Sequence, residues 1–351
     1  MSYDSNFERL KTALFRGQPD RVPLFELAVA QNVRESFLGR KIVTIGDEID
    51  FARKAGYDYI KVSPIIELNP DKILPKEGRR LSSVSHSDHQ REWHSSSQGL
   101  ITSLADFEKF HWPKLNDIDY SPFERFSEKL PSDMQIVAQY GDIFTWVWDF
   151  MGFETFSYAL VENEELVTMM FETIGSIEID IFKTAAEFDR VGAIFYSDDI
   201  AINSGLFVSP AVLRKYLFPW MKKIGNICKE KEIPFIYHSD GVLWDVFDDL
   251  KECGVNAIHP IEPQAMDIVE VKKKVGDAFC VIGNVDVDLL ARGTTQQVED
   301  YVKMLLSDVA PGGGYCLGSG NSIPEYVNTE NYKVMVETVH QLGSYGFGGV
   351  R

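Results

Sequence analysis

Short apolar runs that end in polar residues recur along the chain, and each is followed by a stretch of helical periodicity. GAIFYSDDI (192–200), PFIYHSDG (234–241), NAIHPIEP (256–263), AFCVIGNVD (278–286) and GGYCLGSGNSI (313–323) are five of them. Between them, SPAVLRKYLFPWMKKIGNICKEKEI reads as a helix opened by Ser209 and Pro210, and WDVFDDLKECG as one closed by Gly254. VEVKKKVGD, TTQQVEDYVKMLLSDVA and TENYKVMVETVHQLGSYG complete the alternation. Continuous apolar runs alternating with helices predict βαβ units and a parallel sheet buried on both faces. RVPLFELA (21–28), GYDYIKVSP (56–64) and MQIVAQYGD (134–142) add three strands upstream. Eight strands make the chain an α/β protein, a single (β/α)8 TIM barrel over residues 1–351. Residues 68–113 interrupt it with polar residues, His86, His89, His94 and Gly99, and are expected to form a small hairpin insertion. A doubly wound open sheet is the competing fold, but no GxGxxG follows any strand.

Composition narrows the partners. The 351 residues carry 53 Asp+Glu against 35 Lys+Arg, a net charge of −18, which removes the basic footprint a nucleic acid needs. No stretch is long and apolar enough to span a membrane. The opening MSYDSNFERLKTALFRG has no unbroken apolar core, so no signal peptide is expected there. Four cysteines form no CxxC pair, which suits a reducing cytoplasm and offers no thiolate metal cage. A cytoplasmic protein is expected.

In such a barrel the active site is built at the C-terminal ends of the strands. The candidates there are Glu26, Ser63, Tyr140, Asp142, Asp198, Asp199, His238, Asp240, His259, Glu262, Asn284, Asp286, Ser319 and Asn321. The set is acidic and includes no lysine; Lys61, near one strand end, is a weak candidate, so Schiff-base chemistry is disfavoured. Tyr237-His238-Ser239-Asp240-Gly241 is the sharpest local signal. Two residues apart on a strand, His238 and Asp240 point the same way, as metal ligands or as an acid–base pair. The competing reading is a buried core histidine followed by a helix-capping aspartate. Asp198 and Asp199 point to opposite faces, so at most one faces the barrel axis and the other is expected to cap a helix or anchor a loop. Glu262, between Pro260 and Pro263, is presented rigidly, whereas His259 reads as structural. Phe144, Trp146, Trp148 and Phe150, spaced by two, are candidates for one wall of a substrate pocket, the competing reading being core.

The run of motifs resembles the uroporphyrinogen decarboxylase superfamily. SDDIAINSGLFVSPAVLRKYLFPWMKKI, YHSDG, GVNAIHPIEPQAMD, VIGNVDVDLLARGTTQQVED and GGGYCLGSGNSIP carry the likeness. The resemblance implies a (β/α)8 barrel, often a homodimer, and one of two chemistries. Cofactor-free decarboxylases grip a poly-anionic tetrapyrrole with an arginine in an RQAGRY-like segment. Here ELAVAQNVRESFLGR offers only Arg34, and Ser319 in LGSG stands where those enzymes have a histidine. The other branch, corrinoid-dependent methyltransferases, includes methylcobamide:thiol enzymes that hold zinc with a His-x-Cys pair and a distant Cys. His238 matches the histidine, while Asp240 and Asn321 stand near the two cysteines' places. Carboxylate for thiolate makes a harder centre, suited to an oxygen-bound methyl group. The expectation is a methyltransferase of an anaerobic O-demethylase system, passing methyl from a small donor to the cobalt (cobalamin-type) of a separate corrinoid protein. A methoxylated aromatic is the first guess for the donor. His238, Asp240 and Glu262 are the expected zinc ligands, and His238, Asp240 and Asp199 the catalytic residues. Tyr140, Trp146, Trp148, Asn284 and Asn321 are the expected substrate contacts.

Overall fold

The computed structural model describes residues 3–66 and 99–345. Nine strands are present among them: β1 Tyr59–Val62, β2 Gln135–Gly141, β3 Val191–Ser197, β4 Ala201–Ile202, β5 Gly205–Leu206, β6 Phe235–His238, β7 Ala257–His259, β8 Cys280–Ile282 and β9 Tyr315–Cys316. Seven form one parallel sheet in the order β1-β2-β3-β6-β7-β8-β9, and β4 and β5 make a separate antiparallel hairpin. The strands fall inside the apolar runs because a parallel sheet covered on both faces favours apolar residues on both sides of each strand.

The sheet curls. Phe25, whose segment pairs with the β9 edge through the Leu24–Leu317 bridge, puts its ring 5.4 Å from Phe195 of β3. That contact needs the two edges to approach around a common interior, which gives a barrel-like architecture. The eighth strand expected at 21–28 is reduced to isolated bridges, Leu24–Leu317 and an antiparallel Arg21–Ser344. Pro23 has no N–H to donate, and the segment's backbone bonds to its neighbour are Phe25 N→Leu317 O (2.9 Å), Leu317 N→Pro23 O (2.9 Å) and Ile323 N→Ala28 O (2.8 Å). Towards β1 the link is a side chain: Glu26 N donates to Tyr59 Oη at 2.9 Å.

Helices cover the outside, each set by local chemistry. Thr44 and Asp47 form a capping box before Ile45–Ala55, and Thr294 with Gln297 does the same before Thr295–Asp308. The single helix expected after Ser209 is two, Pro210–Tyr216 and Phe218–Glu230. Pro219 has no N–H to continue the first ladder but is tolerated in the first turn of the second. The stretch from Phe144 is also a helix, Ile143–Met151, not an extended wall. Of the expected insertion, residues 68–98, with His86, His89 and His94, lie outside the described residues; the remainder carries a short helix, Leu104–Lys109.

Candidate metal and substrate site at the sheet's C-terminal edge

Strand register decides which side chains meet. Ser197 of β3 pairs with His238 of β6, and His238 with His259 of β7, so these three turn to one face on adjacent strands. Phe195 lies on that face one layer deeper, 6.1 Å from the His238 ring and 5.5 Å from the His259 ring, and Phe25 reaches it across the interior. This is the inner face.

At its rim, ligand atoms of Asp199, His238 and Asp240 all lie within 4.8 Å of one another. His238 Nε2 is 3.5 Å from Asp199 Oδ1 and 4.0 Å from Asp240 Oδ1. Each member is braced from behind. Asp240 N donates to Asp199 Oδ1 at 2.9 Å, and Asn321 Nδ2 reaches both oxygens of Asp240 at 2.8 and 2.7 Å. His238 Nδ1 lies 2.8 Å from His259 Nδ1, so one proton is shared between the rings. Burial, then the neighbouring His238 and Lys61, hold the His259 pKa well below the ordinary value, keeping it neutral. Two carboxylates and one imidazole, with the imidazole's far nitrogen and one carboxylate fixed by second partners, fit a divalent cation such as zinc. No cysteine belongs to this group.

Asp198 faces the opposite way. It accepts from Phe144 N (2.7 Å), Thr145 N (3.0 Å), Thr145 Oγ1 (2.9 Å) and Tyr196 Oη (2.5 Å), and so pins the start of helix Ile143–Met151. Burial raises its pKa to about 6 against these hydrogen bonds. Asp142 and Glu178 are buried nearby, and burial, then repulsion from Asp198, holds both well above the usual range.

The sequence profile of the uroporphyrinogen decarboxylase (URO-D) family matches residues 97–342. The chain belongs to the uroporphyrinogen decarboxylase family. Among curated relatives, a uroporphyrinogen decarboxylase of Neisseria meningitidis is 26% identical over 150 residues, 41% of each chain. The chain thus matches under half the length of those first relatives. A "Methylcobamide:CoM methyltransferase MtbA" of Methanosarcina acetivorans is 25% identical over 245 residues, 68% of each chain. A solved methyltransferase from Methanosarcina mazei shares the fold with a TM-score of 0.69 at 17% identity, over 96% of this chain and 99% of that one. Corrinoid-dependent methyltransferases and decarboxylases therefore both stand among the relatives, and the uroporphyrinogen decarboxylase fold agrees with the curled parallel sheet.

Within this family member, the expected residues divide. Asp199, His238 and Asp240 come together, with Asn321 on Asp240. Glu262 stands outside that group: it accepts from Gly241 N at 2.9 Å, and the Asn203 amide reaches its oxygens at 3.1 and 3.2 Å. Asn284 is buried and donates to Ile261 O at 2.8 Å. Tyr140 is not on the inner face. It pairs in register with Tyr196, which stacks on Tyr237 and meets Phe182 of the outer helix Glu164–Ala185. Trp146 and Trp148 do not share a wall, because residues two apart on a helix point about 200° apart. Trp146 meets Tyr140 at 5.7 Å, whereas Trp148 packs on Phe153 and Phe207 at 5.8 and 6.3 Å. His259, read as structural in sequence, is the hydrogen-bond partner of His238; only the inter-strand register reveals it. Among the described residues no helix is long and apolar enough to cross a membrane.

Proposed function

We propose that this chain is a methyltransferase that moves a methyl group from a small donor, a methoxylated aromatic first, to the cobalt of a separate corrinoid protein, within an O-demethylase system. The observation that carries the reading is the cysteine-free Asp199–His238–Asp240 group at the rim of the barrel interior. Imidazole and carboxylate ligands favour an oxygen-bound substrate over a thiolate. A zinc ion held by these three residues would supply Lewis acidity to the donor's ether oxygen, easing departure of a phenol whose pKa is about 10. His259 keeps His238 in the tautomer whose Nε2 lone pair faces the two aspartates. Asn321 holds Asp240 against rotation, and Asp240 N fixes one oxygen of Asp199. The methyl carbon must lie open to the barrel mouth for in-line approach of the partner's cobalt. Closure of the eight-stranded barrel through the 21–28 segment belongs to the same proposal.

The test is metal content and methyl transfer together. Wild type is expected to hold about one zinc per chain and to methylate a Co(I) corrinoid protein from a methoxylated aromatic; His238→Ala is expected to lose both. Metal-free, fully active protein overturns the reading. Decarboxylation of a tetrapyrrole is the second reading, favoured by the family profile and the curated decarboxylases. Ser319, at the place of the decarboxylase histidine, is tied to Glu26 by its N (2.8 Å) and Oγ (2.5 Å), which speaks against it.

A further inference from the structure

On the inner face, three buried polar atoms have no hydrogen-bond partner among the described residues: Lys61 Nζ, Ser197 Oγ and His259 Nε2. Ser197 and His259 flank His238 in register, on β3 and β7. Lys61 enters from β1, and its Nζ lies 5.4 Å from the centroid of Phe195. The same ring is 5.5 Å from His259, so Lys61 and His259 both border Phe195. Gln139, the register partner of Phe195, is buried on this face too.

All three atoms are donors in the state the rim requires. When His238 keeps Nε2 free, it donates its Nδ1 proton to His259 Nδ1, and His259 then carries its hydrogen on Nε2. Ser197 offers a hydroxyl and Lys61 an amine. Glu26, the carboxylate whose charge acts on Lys61, turns both oxygens to Ser319. Without a bonded counter-charge the buried Lys61 amine holds its proton weakly, and an anion joining it would favour the ammonium form.

We propose that Lys61, Ser197 and His259 form an anion subsite in the barrel interior that takes the carboxylate of a small organic acid. The methyl donor is then an acid, its carboxylate on Lys61 and its methyl-bearing end toward Asp199, His238 and Asp240. The orientation rests on the methyltransferase reading above; the subsite rests on these residues alone.

Calorimetric binding of para-methoxybenzoate and its neutral amide, para-methoxybenzamide, tests it without the corrinoid partner. Wild type is expected to prefer the acid by about 10- to 100-fold, the range of a charge-assisted hydrogen bond. Lys61→Met is expected to lose that preference with an unchanged circular dichroism spectrum, and Ser197→Ala to lower it several-fold. Ser197→Ala carries the comparison if Lys61→Met does not fold. Equal binding of acid and amide, no binding of the acid, or a preference unchanged in the variants overturns the subsite. Lys61-dependent acid binding with no methyl passed to Co(I) refutes the methyltransferase reading and leaves the subsite standing.

Discussion

Asn321 shows how a residue can matter to a metal group without joining it. Its amide spans both oxygens of Asp240, so it fixes that carboxylate's orientation. Loss of such an outer partner lowers metal affinity about 10- to 100-fold. Asn321→Leu is therefore expected to weaken zinc binding by that factor, read by competition with a chelating dye, while Asn321→Gln recovers part of it. The interior pair Glu26 and Lys61 gives a second prediction. Burial raises Glu26 from 4.5 to about 8 despite Ser319 and Lys61, and burial lowers Lys61 from 10.5 to about 7 despite Glu26. Between pH 4.5 and about 8 the folded chain keeps a proton on Glu26 that the unfolded chain releases, so this contribution to stability falls as pH rises. Between about pH 7 and 10.5 the unfolded chain binds a proton that Lys61 lacks when folded, so that contribution rises with pH. Glu26→Gln should accordingly gain more over wild type at about pH 8 than at about pH 5, measured by urea unfolding. An equal gain at both would remove the titration from the account.

At the scale of elements, the site depends on how β3 ends. Asp199 turns to the rim because Asp198 is locked the other way by four hydrogen bonds. Asp198→Ala strands the buried amides of Phe144 and Thr145 and is expected to cost about 3 kcal/mol of stability. It should also lower metal affinity through Asp199, whereas a purely structural role would leave affinity intact. Gly141 plays a matching part at the end of β2, where a Cβ would lie 1.9 Å from Ser197 O; Gly141→Ala is expected to destabilise by several kcal/mol or shift β3. Much of this level was readable in the chain. The five downstream runs became β3 and β6 to β9, and the split of Asp198 from Asp199 follows from strand alternation. What the chain did not disclose is parity. In strands buried on both faces, Gln139 and Tyr140 give no polar alternation to say which points inward, and Tyr140 points outward. Register between strands is equally silent in sequence, so His259 looked incidental beside His238. The Phe144–Phe150 spacing misled for a different reason: Thr145, Val147 and Asp149 alternate with the aromatic residues and mimic a period of two in a segment that is helical.

For the molecule as a whole, the rim group joins parts that are distant along the chain. Asp199 follows β3, His238 ends β6, Asp240 follows it, and Asn321 reaches Asp240 from beyond β9. With a net charge of −18, the chain brings two carboxylates side by side against general repulsion, and a bound dication relieves that locally. A ligand that binds only the folded state stabilises it by RT ln(1 + [L]/Kd), about 2.7 kcal/mol at a hundredfold excess over Kd. Added zinc should therefore raise the melting temperature of wild type by a few degrees, and a chelator should reverse the rise. His238→Ala and Asp240→Ala should show no zinc-dependent shift, whatever their own melting temperatures. Glu262→Gln should keep the shift, since Glu262 stands with Gly241 and Asn203 outside the group of three. A shift lost in Glu262→Gln and kept in Asp199→Asn would instead move the metal to the far side of Asp240, and with it the direction from which the methyl donor is held.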